Sequence, residues 1–375
     1  MRVFTIYATN FLLASALGVV FVFFEDVQTT FDLTDLEVGL IAGAGFGAAF
    51  VVQLVLAPMA DRGRTGPLAV IALLAGILGL VGFGFGTSVL ALAVGRSLSG
   101  VGMGLFTMLA RKTLIGLDAS GGGAKLGLLL STGVAGFITG PLIGAAFEPL
   151  GFEAPFIIVG IALAVVGTPA TLAILGSEIA VAPVNYSDLG ALIRRPKMQA
   201  AMIVQLIVFG YIGIFNSTVD RFLTDLGAST QMVAVVILFV GAPLLVMPRF
   251  AGVLAEARGG AVVMLPALLI LLPAMFGYGA VSSVGFAIVF GLLHGSGESF
   301  ASVSAQVLVL EVTGAERAAV GSALLDAAGL FAATVAAFSA PLAYGAVGQT
   351  LFTLAGGVGV VLAGAAALRV RSAWD

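Results

Sequence analysis

Residues 291–306, GLLHGSGESFASVSAQ, hold the only histidine of the chain, His294, with a glutamate, Glu298, four positions later. On a helix, positions i and i+4 share a face, and Ser302 and Gln306 extend that face over about three turns. The flanking stretches, SVGFAIVF and VLVL, are apolar. An imidazole and a carboxyl in such a setting have two uses. They can act as a structural zipper, hydrogen-bonding neighbouring helices while Gly291, Gly295 and Ser299 pack closely as a small-xxx-small ridge. Alternatively, they can carry a proton. A charged acid at the centre of a membrane span costs about 2.5–3.5 kcal/mol, so a carboxyl that meets water alternately from two sides is suited to loading and releasing one. Asp326, in GSALLDAAGLF, is a third acid or base inside an apolar run. It reads either as a second proton site or as a residue lining an inner vestibule.

Arg96 lies about eight residues inside another apolar stretch, VLALAVGRSLSGVGMG. Its long side chain can snorkel to a water interface. It can also face a bundle interior, as intramembrane charges usually do, and there bind an anionic substrate or organise a proton site. Arg96, Gly100, Thr107 and Arg111 fall near one helical face, which favours the inward direction. Asn10, Gln53, Gln205, Asn216 and Tyr211 are milder polar residues in apolar segments. Each reads as an ordinary helix–helix hydrogen bonder or as part of a substrate cavity that is mostly apolar.

Other chemistries fit the residues less well. HGSGES crowds together the residue types of a hydrolase, but acyl transfer needs a strained strand–turn–helix and free backbone donors that a continuous helix does not offer. No GxxxxGK[ST] loop is present to bind ATP. No basic patch with interleaved aromatics suggests nucleic acid. Cysteine is absent, which removes disulfides and thiolate metal sites. No metal or cofactor is expected.

These residues must be held by something, and composition says what. Of the 375 residues 60% are hydrophobic and 9% are charged, against about 25% charged in soluble domains. Such a chain cannot cover itself with polar surface, so the lipid bilayer is its expected surroundings. Length and charged breaks define twelve spans: 3–23, 38–60, 67–86, 88–110, 126–147, 154–176, 200–220, 230–250, 261–281, 283–309, 318–341 and 343–368. The single Arg before the first run reads as the start of a retained span rather than a cleaved signal. Of the 16 basic residues, 14 fall on one set of alternate loops and ends, Arg221 on the other, and Arg96 within a span. The positive-inside rule then puts both termini in the cytoplasm of a multi-pass protein of the cell membrane.

The polar stretch 177–199 divides the chain near its middle. It reads as a cytoplasmic linker between a bundle at 1–176 and another at 200–375. The halves repeat at a constant offset of 195 residues: SGVGMG (99–104) matches HGSGES (294–299), and MADRGR (59–64) matches LAEARGG (254–260). Parallel repeats of this kind place a substrate site near the midplane, at their interface.

With these motifs the chain resembles the major facilitator superfamily, whose members have twelve helices in two six-helix halves. That family carries G-x-x-x-D-R-x-G-R between its second and third helices. The loop here, APMADRGRTG, matches through Asp61, Arg62, Gly63 and Arg64, with Ala57 for the first glycine and one residue missing. The second-half copy, GVLAEARGG, keeps Gly252, with Glu256 for the aspartate, and carries Arg258. The resemblance implies that these residues form a gating latch; topogenic charge is the plainer reading. Arg96, Gly100 and Gly102 match the family's R-x-x-x-G-x-G in the fourth helix. Gly136, Gly140, Pro141 and Gly144 match G-x-x-x-G-P-x-x-G in the fifth, a pattern of the drug:proton antiporter branch.

The expectation is an all-α membrane protein of two six-helix bundles, a secondary carrier and not an enzyme. It works by alternating access, functions as a single chain, and exports small apolar or amphipathic compounds in exchange for protons, with sodium as the alternative coupling ion. Proton-coupled uptake of a small organic anion, with Arg96 as counter-charge, is the competing reading. An intramembrane enzyme or sensor is the remote one.

Overall fold

Hydrocarbon supplies no hydrogen-bond partners, so a spanning chain must satisfy its backbone internally, and helices do so within each segment. The computed structural model describes residues 2–61, 65–117, 122–175 and 189–372, and among these the regular structure is entirely helical. Twelve helices are long and apolar enough to cross a membrane, and each overlaps one of the twelve expected spans.

The chain divides into two compact units, Met1–Val184 and Asn185–Asp375. The first contains α1 (Arg2–Gly18), α2 (Phe24–Thr30), α3 (Asp35–Asp61), α4 (Thr65–Gly84), α5 (Val89–Leu117), α6 (Gly122–Phe147) and α7 (Ala154–Leu175). The second contains α8 (Leu189–Ile193), α9 (Pro196–Asp225), α10 (Thr230–Arg258), α11 (Gly260–Tyr278), α12 (Val284–Val347) and α13 (Thr350–Arg371). Part of the stretch read as linker is therefore helical. Residues 176–188 lie outside the described set.

Local chemistry sets several boundaries. α3 starts at Asp35 rather than at 38 because Thr34 and Glu37 form a reciprocal cap. The Thr34 N–H and hydroxyl donate to Glu37 Oε2 at 2.8 and 2.7 Å, and the Glu37 N–H donates to Thr34 Oγ1 at 3.4 Å. α12 is two spans, Val284–Gly314 and Val320–Val347, joined at Gly314, whose φ of 68° is the left-handed region that favours glycine. Pro141, Pro169, Pro243, Pro248, Pro266, Pro273 and Pro341 all lie within helices. There each withholds one backbone donor from the ladder and permits a bend.

Within each unit the helices close on glycine. A Cβ added at Gly100 on α5 would strike the Gly45 carbonyl of α3, and one at Gly295 on α12 would strike the Val240 carbonyl of α10. Likewise Gly102 abuts Gly76 of α4, and Gly297 abuts Leu271 of α11. Both members of each pair shift by 195 residues between the units. The repeat seen in two short motifs is thus a repeat of helix crossings, which depend on small residues because lipid tails offer no hydrophobic drive between helices.

Gly295→Val and Gly100→Val should each lower the melting temperature of the detergent-solubilised protein, at about 1–3 kcal/mol of overpacking per site. Gly285→Ala and Gly357→Ala, which meet nothing within 4 Å, should leave it unchanged, apart from helix propensity. Equal melting temperatures for all four variants would refute the close-crossing account.

Candidate functional site

The first half of α12 carries the opening residues into a cluster of aromatic rings. His294 is buried, and Glu298 is 9% exposed, so neither lies on the lipid-facing surface. The Phe215 ring of α9 meets the imidazole edge-on at 4.9 Å between centroids, with Tyr278 of α11 at 5.9 Å and Tyr211 of α9 at 6.2 Å. Nδ1 lies 3.5 Å from the Tyr278 hydroxyl. Nε2 lies 3.7 Å from Glu298 Oε2 and has no hydrogen-bond partner. That gap is too long for a hydrogen bond. A proton on the imidazole, facing the carboxylate, would draw the two together as a charge-assisted bond.

The packing ridge and the polar face meet different helices. Ser299 turns to α10, donating to the Pro243 carbonyl at 3.3 Å as well as to its own helix at Gly295. Ser302 reaches the Gln205 side-chain oxygen of α9 at 3.5 Å. Ser299 and Ser302 thus bond neighbouring helices beside a His294–Glu298 pair that stands 3.7 Å apart.

In the first unit Arg96 is 1% exposed. Its guanidinium does not snorkel outward. Nη1 donates to the Leu17 carbonyl at 2.5 Å, and the group sits 5.1 Å from the centre of the Phe21 ring. Leu17 is in the last turn of α1, where carbonyls lack helical partners and a cation is favoured. Glycine at 45 makes room, since a Cβ there would stand 3.2 Å from Arg96 Nε. Nε and Nη2 have no hydrogen-bond partner.

Asn10 ties three helices together. Its amide donates to the Leu129 carbonyl at 2.9 Å and to Thr132 Oγ1 at 3.2 Å on α6, and its oxygen accepts from Thr107 Oγ1 on α5 at 3.1 Å. Gln205 and Ser302 stand 195 residues beyond Asn10 and Thr107, so the amide–hydroxyl pair is duplicated. Tyr211 donates to the Ala355 carbonyl of α13 at 3.2 Å. Asn216 is buried with its Nδ2 unpartnered. Gln53 on α3 and Asp326 on the second half of α12 are half-buried.

The gating motif is only partly described. Asp61 ends α3; its side chain and residues 62–64 lie outside the described set. Glu256 and Arg258 are exposed at the end of α10. The start of α11 is met by a different acid, Glu311, which accepts from the Gly260 N–H at 2.7 Å, an anion placed at a helix N-terminus. In α6, Gly136 and Gly140 face α1, where added Cβ atoms would meet the Phe11 and Ser15 carbonyls, and Gly144 faces the turn just after it, at Val22. Pro141 is buried among them. In this chain the helix-five motif is a packing seam.

A model of the major facilitator superfamily matches residues 4–242. The chain belongs to the major facilitator superfamily. Among solved structures, the nucleoside transporter NupG, as a point mutant, is 18% identical with a TM-score of 0.77, covering 98% of this chain and 100% of its own. A bacterial homologue of the human lysosomal transporter Spinster, inward-facing and unoccupied, is 16% identical with a TM-score of 0.77, covering 99% of this chain and 92% of its own. Its occupied form is 18% identical with a TM-score of 0.73 and the same coverage. At these identities the likeness is one of fold. No curated protein sequence matches. Family and fold indicate a membrane transporter rather than an enzyme.

Sequence reading named the polar residues of this superfamily member and missed their apolar company, Phe215 and Tyr278. The 195-residue offset could have pointed to Tyr278, which is the counterpart of Phe83, itself in an aromatic cluster with Phe152 and Phe156. It could likewise have paired Asn10 with Gln205. Because Asn10 makes three bonds and Gln205 one long contact, Asn10→Leu should destabilise the folded protein by about 1–2 kcal/mol, and Gln205→Leu by less. A denaturation series in one detergent checks the order, and the reverse order would show that the Asn10 bonds carry no weight.

Proposed function

We propose that this chain is a proton-coupled secondary carrier that exports small apolar or amphipathic compounds by alternating access, as in the drug:proton antiporter branch. In this reading Glu298 carries the proton, with His294 as its partner and Asp326 as a second acid on the path. The observation that carries the reading is the open pair itself: a buried carboxyl 3.7 Å from a buried imidazole whose Nε2 is otherwise unsatisfied. A purely structural zipper would leave neither group waiting. Arg96 and Gln53 in the first unit, and Gln205, Asn216 and Tyr211 in the second, are the candidate polar anchors for substrate, while Asn10, closed by three bonds, holds its helices together. The loop Asp61–Arg64, with Glu256 and Arg258 as its second-half copy, is the candidate gate. Both termini are placed in the cytoplasm on the strength of the basic-residue bias, and the working unit is a single chain in the cell membrane.

In inverted vesicles, Glu298→Gln should abolish pH-driven accumulation of substrate while the melting temperature stays near that of the unaltered protein. Undiminished pH-driven transport by this variant removes Glu298 from the mechanism. A loss of pH-driven transport with sodium-driven transport retained would name sodium as the coupling ion.

One observation favours a second reading, uptake of a small organic anion. Two nitrogens of the buried Arg96 guanidinium have no partner, and an anion would meet both through bidentate geometry. Under this reading Arg96→Lys weakens the affinity for an organic acid by about 10- to 100-fold, 1.5–3 kcal/mol for a hydrogen bond to a charged group, while affinity for neutral compounds is unchanged. Equal affinity for the acid in both proteins excludes the counter-charge role.

A further inference from the structure

The second unit carries an open groove of about 250 Å³ at the end where α9 begins and α13 stops. It is lined by Ile193, Gln199, Met202, Ile203, Leu206 and Arg369. Gln199, Met202, Ile203 and Leu206 stand at i, i+3, i+4 and i+7, so a single face of α9 forms the floor. That floor runs about 10 Å along the helix. α8 contributes Ile193, its last residue, and α13 contributes Arg369 from its last turn.

The lining joins two chemistries that no partner among the described residues reconciles. The floor is apolar apart from one amide and remains half-exposed along its length. Arg369 is exposed, and among the described residues its guanidinium has no acid or carbonyl partner. The same end carries Arg194, Lys197 and Arg371, all basic, with no acid among the described residues of α8 or the first turns of α9. Arg195 is the exception to this openness, since its Nη1 donates to the Val312 carbonyl at 2.6 Å.

A small anionic solute would satisfy the rim and leave the apolar face bare. A neutral hydrocarbon would cover the face and leave the cation unmet. A phospholipid with a net negative headgroup meets both, its acyl chain lying along α9 and its phosphate on the guanidinium. A zwitterionic lipid brings its own cation to a groove whose one charged lining residue, Arg369, is already a cation. We propose that this groove is a binding site for an anionic phospholipid, with Arg369 as the headgroup contact. The site is independent of the direction of transport and of the coupling ion.

The test uses the full chain, purified and delipidated in a neutral detergent. Retained lipid is measured by native mass spectrometry after addition of phosphatidylglycerol or phosphatidylcholine with the same acyl chains. The unaltered protein should hold phosphatidylglycerol preferentially. Arg369→Gln should lower that retention by about fivefold. Met202→Trp, which fills the floor and keeps the charge, should lower it comparably. Arg249→Gln, which removes an exposed arginine from α10, should leave it unchanged. Circular dichroism melting confirms that each variant is folded. Equal retention of the two lipids, or an Arg249→Gln loss as large as that of Arg369→Gln, would overturn the site. So would phosphatidylglycerol held undiminished by Met202→Trp, which would put the lipid on surface charge and not in the groove.

Discussion

Hydrocarbon accepts and donates no hydrogen bonds, so every polar group carried into it must find a partner within the protein. Most hydroxyls here solve this on their own helix. Ser15, Ser97, Thr113, Thr139, Ser217, Thr218 and Thr334 each donate to the carbonyl four residues back. Groups that local bonding cannot close are few: Asn10, Arg96, His294 and Glu298 among them. Asn10 is closed by three bonds across two neighbouring helices. Arg96 is closed on one nitrogen, and His294 faces Glu298 across a gap. The order of satisfaction separates a structural tie from groups left able to take a further partner.

The same solvent explains why glycine sets the architecture. With no hydrophobic drive between helices in lipid, close approach and van der Waals contact must hold them together. Gly100 against Gly45 and Gly295 against Val240, or Gly102 against Gly76 and Gly297 against Leu271, are one crossing geometry used twice. On that shared scaffold the chemistry diverges. The counterpart of Arg96 is Gly291, that of His294 is Ser99, and that of Glu298 is Met103. One unit thus holds a buried cation and the other a buried acid–base pair. A carrier that binds a proton and a substrate has use for two unlike sites on like frames, and the repeat supplies the frames.

The sequence by itself determined the solvent, the twelve spans, the helical class, the superfamily and the 195-residue offset. Each of these depends on quantities that add along the chain: apolar length, charged breaks, and small residues at fixed spacing. The polar candidates were also legible, because an ionisable residue in an apolar run stands out whatever surrounds it. Only the tertiary structure decided their circumstances. Arg96 bonds the end of α1 instead of snorkelling, Ser299 of the small-residue ridge bonds α10 while Ser302 faces α9 as His294 does, the helix-five glycines serve a seam with α1 and the turn after it, and Glu311 rather than Glu256 meets the start of α11. These outcomes depend on which helix lies alongside and how closely, and therefore on contacts between residues 51 or more positions apart, which no local pattern encodes. Apolar neighbours such as Phe215 were hidden for the complementary reason: in a chain that is apolar nearly everywhere, one more phenylalanine carries no signal until packing puts it against an imidazole.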